Sequence, residues 1–167
     1  MSRTVYASYP GFDTDEIRTD QPAEHARLAW VIVVDETLPP ASAATAAALV
    51  AAATSPRVAG LLGPDATDAG GSVHPGLPWG GCSVRAASGA SLVAMRDVAV
   101  ATEEVLVVDV PAAVSRARVY DEYLAEVRRG ELRYLAVGVV GPRGVVEGLL
   151  GGASPVSAVV SGAAFGG

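Results

Sequence analysis

The chain has 167 residues, half of them apolar but only 5% aromatic, with a net charge of −6, which fits one domain with an interior of small aliphatic side chains and argues against a nucleic-acid binder, whose affinity rests on neutralising phosphates. All twelve basic residues are Arg, so Schiff-base lysines, a pyridoxal phosphate anchor and a phosphate-loop lysine are excluded. One cysteine and two histidines exclude an intrachain disulfide and a Cys/His zinc site.

In chain order, residues 1–27 are polar and read as an extended strap anchored by Tyr6, Tyr9 and Phe12, with Tyr9-Pro10-Gly11 as a turn. They lack the apolar core of a signal peptide, and no apolar run reaches the ~20 residues of a membrane span. The reading is therefore a cytoplasmic protein. Leu28 to Val34 is a continuous apolar run that predicts a covered central strand, ended by Asp35-Glu36. Pro39-Pro40 and the alanine-rich stretch 41–53 predict a helix, since Pro suits the first turn and Ala has the highest propensity. Val58–Leu62 suggests a short strand. Residues 63–81 form a long Gly/Pro-rich loop, of a length that is often functional, and Cys82–Val84 suggests a short strand leaving it. Ser91–Thr102 predicts a helix with Ser91 as cap. Glu104–Val110 is a second buried strand. Pro111 is expected to open a long helix to Arg129, ended by Gly130. Leu132–Val140 is a third strong strand, in which Gly138 signals close approach of another backbone or a ligand. Gly144–Leu150 closes the domain as a short helix, and residues 151–167 have the composition of a disordered tail.

Strands alternating with helices predict an α/β domain over 28–150: three layers, α/β/α, around a small mixed, mostly parallel sheet. The segments Trp30 to Pro40, Gly63 to Asp68, His74 to Trp79, Val119 to Tyr123 and Tyr134 to Arg143, in this order, resemble the domain of unknown function 2000 family over roughly residues 28–150. That family is similar in fold to type 2 peptidyl-tRNA hydrolases, and the resemblance implies a homodimer. It does not carry over the hydrolase chemistry, which uses a lysine soon after the first strand. An asparagine that the family places in the first helix corresponds to Thr45, which makes Thr45 a candidate ligand contact.

The candidate catalytic residues are Asp35 and Asp109 at strand ends, and His74 and Cys82 on the long loop. In open α/β sheets ligands bind beyond the carboxyl ends of strands, where both aspartates could act as general bases; alternatively they cap the following helices. His74 and Cys82 could form a base–nucleophile pair, or be a loop histidine and an inert small cysteine. Trp79 could wall a pocket or pack the loop down. Asp65 and Asp68 are candidate ligand contacts that could ligate a divalent cation, though two carboxylates on a turn more often make turn bonds. Arg143 could pair with a ligand anion or form a salt bridge. Five arginines between 116 and 133 cluster in sequence, interleaved with carboxylates. These residues together suggest cofactor-independent and metal-free acid/base chemistry, hydrolysis or cyclisation of a small molecule, in a pocket shared by Asp35, Asp109 and the 63–82 loop. The alternative is a non-catalytic binding or regulatory dimer; peptidyl-tRNA hydrolysis ranks below both.

Overall fold

The computed structural model describes residues 9–130 and 132–151, and the backbone of 154–155. Tyr6 and most of the C-terminal tail lie outside the described residues. The three apolar runs form adjacent strands, two of them central and the 106–111 run at the edge of the sheet. Strand β1 (Leu28–Asp35) is buried at all eight positions. The elements that follow are α1 (Pro40–Thr54), the two-residue strands β2 (Ala66–Thr67) and β3 (Val73–His74), β4 (Ser83–Ala87) and α2 (Gly89–Val100). The chain continues through β5 (Leu106–Pro111), α3 (Tyr120–Val127), β6 (Tyr134–Pro142), α4 (Arg143–Leu149) and β7 (Ser154–Pro155).

The main sheet runs β5-β6-β1-β4-β7. The pattern alternates along β1, so successive side chains serve opposite faces. Leu28, Trp30, Ile32 and Val34 join Ala46 and Val50 of α1. Ala29, Val31 and Val33 join Leu92, Met95 and Ala99 of α2 and Val146 of α4. This is the expected three-layer arrangement, and each fully buried valine contributes about 1.5–3 kcal/mol to it.

The sheet is mixed but not mostly parallel. β1 pairs parallel only with β4, whereas β6 pairs antiparallel with both β1 and β5, and β7 antiparallel with β4. An apolar run burying both faces reads as a parallel strand; β6 has that signature because α1 covers one side and α2 and α4 the other, regardless of its direction.

Several helix boundaries differ from expectation. Pro111 ends β5 instead of opening a long helix. A 3-10 turn (Ala112–Ser115) follows, and α3 starts only at Tyr120, where Glu122 accepts a hydrogen bond from the Arg118 backbone N–H at 2.8 Å. The cap of α2 is Ser88, whose hydroxyl accepts from Ser91 N–H at 3.2 Å. Residues 58–62 form no strand beyond a single bridge between Leu62 and Pro78. In the strap, Phe12 is buried as expected, while Tyr9 is exposed.

Gly138 does mark a close approach, but of the Val50 side chain and not of a backbone or ligand. A Cβ there would overlap Val50 Cγ1 of α1, and Val50 is fully buried with a stiff, β-branched side chain. Gly138→Ala is expected to lower stability by about 1–3 kcal/mol, the cost of overpacking a full core. Chemical denaturation checks this, and Val50→Ala in the same chain should recover much of the loss by making room.

Candidate functional site: a crevice beyond the strand ends

Since β1 and β5 are both antiparallel to β6, they run in the same direction and end at the same edge of the molecule. Val33 and Asp109 both face Val137 in register, so they share a sheet face; Asp35, two residues beyond Val33, lies on that face too. β4 ends beside Asp35, with Ala87 as its partner. The chain leaves β1 toward the face covered by α1 and leaves β4 toward the face covered by α2. Adjacent parallel strands with crossovers to opposite faces define the switch point at which α/β sheets open a crevice.

A hollow of about 280 Å³ occurs there, lined by Asp35, Arg116, Glu126, Arg129, Arg133 and Tyr134 among others. Asp35 is 6% exposed. Its Oδ1 accepts hydrogen bonds from the Thr37 backbone N–H at 2.9 Å and the Thr37 hydroxyl at 2.8 Å. Oδ2 has no hydrogen-bond partner among the described residues, and it lies beside Gly89 at the start of α2. Asp35 therefore caps its own turn and not α1, whose cap position is Pro39. Tyr134 is also 6% exposed; desolvation, foremost, raises its pKa, so its hydroxyl keeps its proton.

Asp109 shares the face but not the freedom. Arg96 of α2 donates to its Oδ2 at 2.8 Å and stands 5.3 Å from the Tyr134 ring centroid. The pair ties α2 to the edge strand, which leaves Asp109 as a structural partner and Arg96 held beside Tyr134.

The structure does not bring the 63–82 segment to these carboxylates. β4 begins at Ser83 beside Val31, so the segment enters the sheet at the end opposite Asp35. It is a folded hairpin. Gly63 N–H bonds Leu77 carbonyl at 2.9 Å, and β2 pairs with β3. Asp68 Oδ1 accepts from Gly70 and Ser72 N–H, and its Oδ2 lies 3.3 Å from His74 Nε2. Asp65 Oδ1 accepts from Gly76 N–H at 2.8 Å. Both aspartates thus make turn bonds.

Trp79 likewise packs the hairpin down: its ring meets Phe12 at 4.7 Å between centroids, and its Nε1 donates to Gly60 carbonyl at 2.8 Å. Arg143 donates to the carbonyls of Ala23, Ala26 and Leu28, holding the N-terminal strap to the start of β1. Thr45 Oγ1 donates to Ala41 carbonyl within α1. Each of these polar groups has a structural use. A larger hollow, about 820 Å³, lies along the start of β5, but its Arg27 is bound to Glu16 and to the Gly11 carbonyl.

A family model for proteins of unknown function, DUF2000, matches residues 29–156. The chain belongs to this family. A solved structure of a protein of unknown function from Agrobacterium tumefaciens strain C58 is similar at a TM-score of 0.64 and 12% identity, covering 77% of this chain and 97% of that one. At that identity the likeness shows the fold alone. No functionally curated protein matches the chain. Among the described residues no helix is long and apolar enough to cross a membrane.

Sequence reasoning found Asp35 but missed Tyr134, Arg116 and Arg133 as its neighbours. The arginines were visible as a cluster, yet their convergence on Asp35 depends on where β6 starts.

Cys82 is exposed as a residue, but desolvation of its sulfur pushes the thiol up to about 11. No hydrogen bond joins it to His74. A thiol so placed reacts slowly, because the thiolate is the nucleophile. Iodoacetamide at about pH 7.5 should alkylate Cys82 at least about tenfold more slowly than a free cysteine, with a rate still climbing near pH 10. A rate that levels off near pH 8 would show an activated thiol instead.

Proposed function

We propose that the chain binds a small polar metabolite in the strand-end crevice and that Asp35 acts on it as a general base. The observation that carries this reading is a buried carboxylate with one oxygen fixed by Thr37 and the other without a hydrogen-bond partner among the described residues, at the switch point of the sheet. A base held in one rotamer costs no reorganisation when it takes a proton. Asp35 Oδ2 would accept that proton from a bound water or from an N–H or O–H of the substrate. Attack of the deprotonated atom on a carbonyl gives a tetrahedral adduct, whose collapse breaks the bond to the leaving group; that group takes the proton back from Asp35, and the result is hydrolysis in the first case and ring closure in the second. Tyr134, protonated and on the same lining, supports the reading as a donor to the carbonyl oxygen. The crevice volume suits a compact metabolite, being at the small end of ligand pockets.

This reading gives no role to peptidyl-tRNA hydrolysis: the chain has no lysine to supply that chemistry. It also leaves His74 and Cys82 outside the reaction.

Asp35→Asn separates this crevice from the hairpin, since an amide oxygen still serves both Thr37 donors and preserves the fold. In a thermal-shift screen of polar metabolites, ligand-induced stabilisation should be lost or much reduced in Asp35→Asn and unchanged in His74→Ala. For any ligand that is turned over, Asp35→Asn should lower kcat by about 100-fold or more. Stabilisation that survives Asp35→Asn and disappears in His74→Ala would overturn the proposal. Binding at the crevice with no turnover of any ligand would remove its catalytic half.

A further inference from the structure

We infer that the ligand of this crevice carries one anionic group, a carboxylate or a phosphoryl group, and that Arg133 binds it. This inference rests on the crevice being the ligand site and adds the substrate class. Among the described residues the lining holds three arginines, Arg116, Arg129 and Arg133, against two carboxylates, Asp35 and Glu126, in a chain whose net charge is −6. A locally cationic hollow in an acidic protein attracts a small anion while the surrounding surface repels nucleic acid.

The three guanidiniums are not equivalent. Glu126 takes Arg129 at 2.7 Å and Arg116 at 3.8 Å. Arg133 has no carboxylate partner among the described residues, although its own backbone is fixed: its carbonyl accepts from Ala112 N–H at 2.7 Å. It directly precedes Tyr134, the first residue of β6. A guanidinium on a fixed backbone presents a planar fork of donors suited to a carboxylate or phosphate. Asp35 supplies the second, independent sign of a ligand: its residue is more than nine-tenths buried on the same lining, and its Oδ2 has no hydrogen-bond partner among the described residues. The two groups sort a ligand by polarity: its anionic end to Arg133 and its N–H or O–H to Asp35. A dianion spanning the crevice would put negative charge against Asp35 and is disfavoured.

The test is NMR titration of the full chain, with inorganic phosphate and with acetate separately, following the Arg133 Nε–H signal and the amides of residues 112–116 and 132–135. Wild type should give saturable shifts there. Arg133→Ala should weaken binding about tenfold or more, the loss of charge-assisted hydrogen bonds. Arg128→Ala is the control. Arg128 is likewise exposed and without a carboxylate partner among the described residues, but it lies outside the lining; its removal should change affinity little. Saturation by phosphate alone assigns a phosphoryl group, and saturation by acetate alone a carboxylate; either supports the inference. Equal weakening by Arg128→Ala and Arg133→Ala, or saturation by neither anion, overturns it. Asp35→Asn should retain anion binding. Anion binding that depends on Arg133, together with a metabolite screen indifferent to Asp35, would refute the general-base reading and leave this inference standing.

Discussion

The position of β6 between β1 and β5 is the constraint on which the rest of the structure depends. It is buried on both faces, and it reverses direction relative to both neighbours. Those two reversals make β1 and β5 co-directional, although they do not pair with each other. They also bring the start of β6 to the edge where β1 and β5 end, so Arg133 and Tyr134 arrive beside Asp35. The near-absence of side-chain volume at Gly138 lets α1 lie close enough to cover this strand. Packing and site geometry thus have a common origin in one strand.

The two ends of the sheet have different work. Toward the amino end of β1 several polar groups hold the chain together: Arg143 binds three backbone carbonyls, Trp79 binds Gly60, and the aspartates of the hairpin satisfy their own turns, while the buried Trp30 Nε1 has no partner among the described residues. Such groups have little left to offer a ligand, because their donors and acceptors are already matched. At the carboxyl end the polar groups are incompletely matched. Asp35 uses one oxygen, Arg133 none of its donors on a carboxylate, and Tyr134 keeps its proton. Chemistry requires unsatisfied groups held in place, and this end of the molecule supplies them.

Much of the fold was legible in the sequence for reasons that are local. The apolar runs at 28–34 and 132–140 read as buried strands and form them, the 104–110 run forms a strand that starts at Leu106 and is half-buried at the sheet edge, and the alanine run forms a helix. Strand direction was not legible, because a run buried on both faces has the same composition whichever way it points. Pro111 misled because proline suits the first turn of a helix and the end of an edge strand equally well. The site was half legible. Asp35 announced itself by following a buried strand. The 63–82 segment drew attention through its glycines and prolines, which here shape a hairpin, including a Gly76 whose Cβ would overlap the Gly63 carbonyl. The residues that share the hollow with Asp35 come from about a hundred positions away in the chain, and the pairing of β6 brings them in.

The central claim is that ligands enter at Asp35 and not at the hairpin. Residue-resolved NMR mapping with a library of small polar metabolites tests this most directly. The account predicts that binding shifts cluster on Thr37, Gly89, residues 112–116 and Tyr134, with His74, Trp79 and Cys82 unmoved. Shifts centred on the hairpin, with Thr37 and Tyr134 silent, would contradict it.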